Sequence, residues 1–408
     1  MTFLRVLLVL GVLASASDAA TLRLGRDAPT LAAAVARAVD GDVIEIPAGL
    51  WRGPIRLEHS ITLRGMGGHV DGGGDGSTIV VAAPNVRIEG LRIENSGSDV
   101  GRSDACIYLE PGATDAVVAD NELFDCAFGI WVHQTRGAEI TANHVVGRED
   151  ERPTDRGNGI HLFDASGLTI RDNHVEGARD GIYVSATEHS RIERNRLERQ
   201  RFGIHYMYSH DNVLRDNISN DNTIGFALME SDRLIVEGNE ASRNVRNGLL
   251  FRDVQFCKIR GNRLEQNGTG MFFYSSTENS IEDNIVSHNE LGLKIWAGTR
   301  RNVVAGNRIF GNRQQVFYVG AEDQLWGTDG PGNHWSDYLG WDQDGDGIGD
   351  RPHRIDSFVA QLLHQHPAAV LLLKSPALEM LSHLADRLSF LRTATIVDHS
   401  PLLGGSAP

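Results

Sequence analysis

The sequence predicts an all-β chain, a right-handed parallel β-helix wound in rungs of about 22 residues. The first observation is a recurring phrase of Gly, apolar, any, apolar. It includes Gly159-Ile160-His161-Leu162, Gly181-Ile182-Tyr183-Val184, Gly203-Ile204-His205-Tyr206 and Gly225-Phe226-Ala227-Leu228. From Gly159 through Gly248 and Gly270 to Gly292 the steps are 22, 22, 22, 23, 22 and 22 residues. The second is an Asn on the same beat: Asn121, Asn143, Asn173, Asn195, Asn217, Asn239, Asn262, Asn284 and Asn307. The third is alternation of apolar with polar positions, with no helical period inside a unit, so the units are strands.

Two markers at one period make a solenoid. Each rung has room for three short strands, stacked about 4.8 Å from the next. A leucine-rich repeat shares the period and the Asn, but needs Leu-x-x-Leu-x-Leu before it. This chain has Val-x-Ile-x-x-Asn instead. The Asn is expected in a left-handed turn position, bonding to the next Asn in the stack. The Gly is expected to permit a sharp bend.

In chain order, residues 1–19 read as an export signal: Arg5, the apolar run Val6 to Leu13, then small residues suited to cleavage. The mature protein is expected to be periplasmic or secreted. The β-helix is expected over 20–332. It opens with an amphipathic helix at 30–39 as a lid, a first strand from Gly41 to Ile46, irregular early rungs, and a Gly-rich loop from Gly65 to Gly76. One rung, from Gly129 to Gly159, is 30 residues long, its insertion lying around Arg148 to Pro153. Insertions on solenoids tend to border a binding face. Cys106, Cys126 and Cys257 read as three buried or near-buried thiols, Cys126 being out of register with Cys106. Residues 333–356 form a segment rich in Trp, Asp and Gly. Within it Asp342, Asp344, Asp346 and Asp350 resemble a calcium-type loop, although position 12 is His353 rather than Glu. The tail, 357–408, carries an amphipathic helix from Pro376 with Leu378, Leu381, Leu384, Leu388 and Leu391 on one side. That stripe suits either a cap on the last rung or a docking element for a partner.

The 408 residues carry a formal charge of −15, and no basic stripe offers itself to nucleic acid. Positions 2 and 4 after each rung Gly should face solvent, yet they hold Trp131, His161, Tyr183, His205, Met207, Met229, Phe272 and Trp296. An apolar outer strip marks a binding face. In it Met207 and Met229 fall on adjacent rungs, His205 shares the strand of Met207, and His210 follows in the next turn. Thioether with imidazole is a ligand set for a soft ion, Cu(I) above all. The rival is a carbohydrate-binding or polysaccharide-processing β-helix, its aromatic groove stacking on sugar rings. Glu230 and Asp253 are its candidate acid pair, but no convincing catalytic set emerges, so no enzymatic activity is expected.

The Asn/Gly rungs, the leader, the apolar tail, and Gly332-Asn333-His334-Trp335-Ser336-Asp337-Tyr338 running into Asp346-Gly347-Ile348-Gly349-Asp350 together resemble the NosD family, over nearly the whole chain. The last segment is the specific part. The resemblance implies a periplasmic accessory role in assembling the copper centres of nitrous oxide reductase. It implies partnership with a membrane ABC transporter, gripped by the tail, with a copper chaperone and with the reductase itself. Membrane contact would come through the partner.

Overall fold

A computed structural model describes residues 19–296, 298–319, 324–327, 330–356, 362, 366–372, 375–387 and 394–403. The expected leader, 1–18, lies outside the described residues.

The chain is the parallel β-helix that the period predicts. One central rung shows why 22 residues close it. Val213–Arg215 and Ile218–Asn220 are short strands separated by the turn at Asn217, and the longer strand Ile224–Met229 follows. Each pairs in parallel with its counterpart one rung on: Val213 with Ile235, Ile218 with Glu240, Phe226 with Leu249. The long strands stack into a second sheet running from Ile55–Leu57 to Gln314–Tyr318. Inward positions fill the bore with Ile204, Tyr206, Phe226, Leu228 and Phe251, all fully buried. The Phe251 and Phe273 rings stack 4.8 Å apart.

The Asn marker works differently from expectation. Each Asn is buried, and the left-handed residue is the one before it, such as Asp216 at φ 54° or Gly238 at φ 65°. Every Asn amide joins a ladder. Asn217 Nδ2 donates to Ile192 O at 2.8 Å and Asn239 Oδ1 at 3.0 Å, while its Oδ1 accepts from Asn195 N and Nδ2 at 3.0 Å. A second ladder, which the sequence reading did not separate, climbs through Asn222, Asn244, Asn267, Asn289 and Asn312. The rung glycines also differ. They are not left-handed; a Cβ at Gly203 would sit 2.0 Å from Ser219 Oγ and 2.7 Å from Gly225 O. Gly is needed because there is no room for a side chain.

The ends also depart from expectation. The lid helix spans only Leu31–Val35, capped by Thr30 Oγ1 accepting from Ala33 N, and a strand, Thr21–Arg23, precedes it. Half of the expected Gly-rich loop is strand, since Thr62–Asp71 pairs with Val43–Arg52. The coil continues to His334–Trp335, which pairs with Arg308–Phe310. The tail then returns. Strand Ala394–Asp398 pairs antiparallel with His353–Asp356, and Asp398, fully buried, accepts from Asn333 N at 2.7 Å and Trp335 Nε1 at 2.8 Å. A carboxylate from the tail thus takes the place of the next Asn in the ladder.

Asn217→Ala removes the acceptor of both Asn195 N and Asn195 Nδ2, and a donor to Ile192 O, inside the wall. The expected loss is on the order of 3 kcal/mol, read as a lower urea midpoint. A change below about 1 kcal/mol would mean that the ladder contributes little to stability.

Candidate functional site

The outer strip on the long-strand sheet is where the unusual side chains gather. Strand Phe202–Met207 pairs with Asp180–Ser185 below and Ile224–Met229 above, in the register expected: Tyr183 opposite His205, Met207 opposite Met229. Outward positions below Met207 form a continuous ring stack. Trp131 to His161 is 3.7 Å between centroids, His161 to Tyr183 is 4.7 Å and Tyr183 to His205 is 4.8 Å.

This stack lines a cleft of about 420 Å³ with Phe128, Asn158, Asp180 and Arg201. Its rim is the long rung's insertion, which folds against the coil instead of projecting. Arg148 Nη2 donates to Ser96 O at 3.2 Å, Arg156 Nη1 donates to Gly177 O at 3.1 Å, and Arg156 faces the cleft. The expectation of a solvent-facing strip is therefore corrected for His161 and His205. Both point out of the bore, but the cleft walls bury them to 9% and 8% exposure.

Asp180 organises the cleft floor. Arg201 donates to both its oxygens, Nε at 2.8 Å and Nη2 at 2.6 Å, and His205 Nδ1 lies 3.0 Å from Oδ2. Burial pushes the Asp180 carboxyl up, but hydrogen bonds from His205 and Arg201 outweigh it and leave the group below its ordinary range. Facing a carboxylate, His205 Nδ1 carries a hydrogen, and Nε2 is the ring nitrogen turned away from Asp180. That Nε2 is buried and has no hydrogen-bond partner. A carboxylate behind one imidazole nitrogen is the outer support that metal-binding histidines use.

The proposed soft-ion residues are not all brought together. Met207 and Met229 are half-buried neighbours in register. His205 leans toward Phe202 and Asp180 at the start of its strand, away from Met207. His210 lies in the turn after the strand, borders a separate depression with Tyr208 and Glu188, and its Nδ1 accepts from Asp232 N at 3.1 Å. Strand register was readable from sequence; the direction in which an imidazole leans was not, because it depends on Asp180 one rung below.

The cysteines require a correction. Cys106 and Cys126 form a disulfide across Cα atoms 5.5 Å apart, leaving Cys257 as the free thiol. Burial pushes the Cys257 thiol up to about 12, so it stays protonated. Rung register obscured the pair because the bond joins a strand to the turn before the next long strand. The cleft lining includes a single carboxylate, Asp180, already bonded to Arg201 and His205, whereas glycoside hydrolysis uses two.

Two further expected sites lie elsewhere. In the Asp loop, Asp342, Asp344 and Asp346 each offer an oxygen within 4.8 Å of the others. Asp344 accepts from Asp346 N, which lowers its carboxyl, but the neighbouring Asp346 charge helps raise it overall. Asp350 instead accepts from Gln343 N at 2.7 Å. In the tail, helix Pro376–Arg387 begins where expected. Leu378 is buried, Leu381 and Leu384 are 47% and 48% exposed, and Leu388 and Leu391 lie outside the described residues. Leu371 and Met380 are also exposed. No helix among the described residues is long and apolar enough to cross a membrane.

His161 gives the cleft a pH signature. Burial lowers its pKa from 6.5 to about 3. Below about pH 6.5 the unfolded chain takes up a proton that the folded cleft refuses, so stability falls with acidification until about pH 3. At roughly pH 5 this group should cost on the order of 2 kcal/mol. His161→Gln should remove that part of the difference in unfolding free energy between about pH 7.5 and pH 5. An unchanged difference would show that the ring titrates normally.

The family described as "Periplasmic copper-binding protein (NosD)" matches residues 142–340. A Pseudomonas aeruginosa protein named "Probable ABC transporter binding protein NosD" is 38% identical over 373 residues, covering 88% of this chain and 87% of its own. A Stutzerimonas stutzeri protein of the same name is 38% identical over 374 residues, covering 88% and 86%. Among solved structures, a family 28 exopolygalacturonase from Yersinia enterocolitica aligns with TM-score 0.57 at 11% identity, over 73% of this chain and 74% of that one. Pre-mature bacteriophage phi29 gene product 12 aligns with TM-score 0.52 at 10% identity, over 70% and 52%. At such identities the likeness to those two shows the fold alone. With more than a third of its residues shared along nearly their full length with both NosD relatives, the chain belongs to the NosD family.

Proposed function

We propose that this chain is a periplasmic accessory protein that hands copper toward the copper centres of nitrous oxide reductase, working with a membrane ABC transporter and a copper chaperone. The observation that carries the proposal is the pair of thioethers, Met207 and Met229, in register on one outer face. His205, held by Asp180, lies on the same strand as Met207 with its Nε2 unpartnered. Copper is cargo in this reading. Thioethers and neutral imidazole bind Cu(I) in preference to hard ions. Met207 and Met229 are the proposed main contacts, with flexible side chains that can swing along the strip. His205 in the cleft and His210 in the following turn are proposed as further donors that the ion meets as it moves along this face. The disulfide suits the oxidising periplasm. The family description and the relatives' names support copper and the transporter as partners.

The Asp loop is proposed to hold Ca²⁺ as a structural ion, since three clustered carboxylates suit a hard cation. It lies beside the tail's return, with Gly349 N donating to Pro401 O and Leu403 N donating to Gly347 O. The exposed face of the tail helix is the proposed grip on the transporter.

Anaerobic Cu(I) titration against a competing chelator tests the ligands. Met207→Leu/Met229→Leu is expected to weaken binding at least about tenfold, roughly 1.4 kcal/mol. Unchanged affinity removes both thioethers from the site. For the tail, Leu381→Asp/Leu384→Asp should abolish co-purification with the transporter without changing the melting temperature. Point changes are needed because truncation would also remove Asp398, which ends the Asn ladder. Retained co-purification would refute docking through this helix.

A further inference from the structure

A second cluster of metal-ligating side chains lies on the other sheet, away from the cleft. Strands His144–Val146, His174–Glu176 and Arg196–Glu198 stack in register, setting His144 below His174 and Glu176 below Glu198. The two imidazoles are parallel, 4.8 Å apart with 8° between their planes. Each aims its Nε2 at a carboxylate on the rung above: His144 at Glu176 Oε1, 3.0 Å, and His174 at Glu198 Oε1, 2.9 Å. His174 Nε2 also lies 4.0 Å from Glu176 Oε2. One donor atom from each of His144, His174 and Glu176 falls within 4.8 Å of the other two.

We propose that His144, His174 and Glu176, with Glu198 as fourth donor, form a binding site for a borderline divalent cation of the Zn²⁺ or Cu²⁺ class. Two imidazole nitrogens and carboxylate oxygens are that class's ligand set, whereas Cu(I) prefers the thioethers of the opposite face. Around an ion with ligands at about 2.0–2.1 Å, tetrahedral donors stand roughly 3.3 Å apart. For His144, His174 and Glu176 the present spread closes to that by about 1.5 Å, within the swing of imidazoles whose side chains are 37% exposed. The ion would take the place of the hydrogen each Nε2 now shares with its carboxylate, leaving the ring hydrogen on Nδ1. Arg199 competes for Glu176 and Arg196 competes for Glu198. Arg199 also binds Glu149 Oε1 at 2.9 Å, so an ion taking Glu176 leaves Arg199 to the insertion that rims the cleft.

The test is Zn²⁺ titration of the mature protein in calcium-containing buffer, which occupies the Asp loop, followed by calorimetry. The expected result is one Zn²⁺ bound per chain at micromolar or tighter affinity, weakened at least about tenfold by His144→Gln/His174→Gln. Glu176→Gln provides a second variant should the double change disturb folding, and it should weaken binding as well. Bound Cu²⁺ should show hyperfine coupling to two nitrogens in its paramagnetic resonance spectrum, lost in the double variant. Absence of a Zn²⁺ site in the wild type, or equal affinity in the folded variants, overturns the proposal. Met207→Leu/Met229→Leu should leave Zn²⁺ binding unchanged, which separates failure of this site from failure of the copper strip.

Discussion

A buried amide that must find partners on both the rung below and the rung above fixes the pitch of this molecule. Asn195, Asn217 and Asn239 each donate to a carbonyl of the rung below and to the next Asn oxygen above. In the solenoid wall water cannot substitute, so a slip of one residue would orphan several polar groups at once. The ladder therefore enforces the one register in which Tyr183 faces His205 and Met207 faces Met229. The outer face inherits its order from the inner one.

The ladder also explains the tail. A stack of donors needs a terminal acceptor, and the last Asn has no rung above it. Asp398 supplies that acceptor, brought back by the pairing of Ala394–Asp398 with His353–Asp356. So buried a carboxyl group is satisfied because Asn333 and the Trp335 indole donate to one of its oxygens and Ser400 N donates to the other. The stretch from the last rung to this strand is thereby tethered at both ends, and it carries the helix with exposed Leu381 and Leu384. An amphipathic helix held on such a closed loop fits the grip on the transporter proposed for it.

Period and alternation made the coil legible in the sequence, including which residues enter the bore and which rungs carry Met207 and Met229. Features that depend on the side chain of a different rung were not legible. His205 could be placed on the outer face, but its lean toward Asp180 required knowing that residue 180 is buried beneath it with Arg201. The Cys106–Cys126 bond joins positions a repeat alignment keeps apart. The left-handed residue before each Asn escaped notice because Asp, Arg, Ala and Gly all fill it, whereas the Asn itself is constant. The His144–His174 pair is spaced by the 30-residue rung, so it falls off the regular beat.

The distribution of donors along the chain has a chemical logic. Soft thioethers and a freed imidazole occupy the long-strand face, imidazole with carboxylate occupies the short-strand face, and carboxylates alone fill the loop after the coil. Ligand softness sorts ions more reliably than affinity, because borderline ions outbid others at mixed sites. On the proposed function, keeping these sets apart would keep copper on the thioether face and away from the donors that suit zinc or calcium. The solenoid provides that separation directly, since alternate residues and successive strands point to different walls of the coil. Moving Met207 by one position would place its sulfur in the bore, and the ladder's intolerance of register change keeps that from happening.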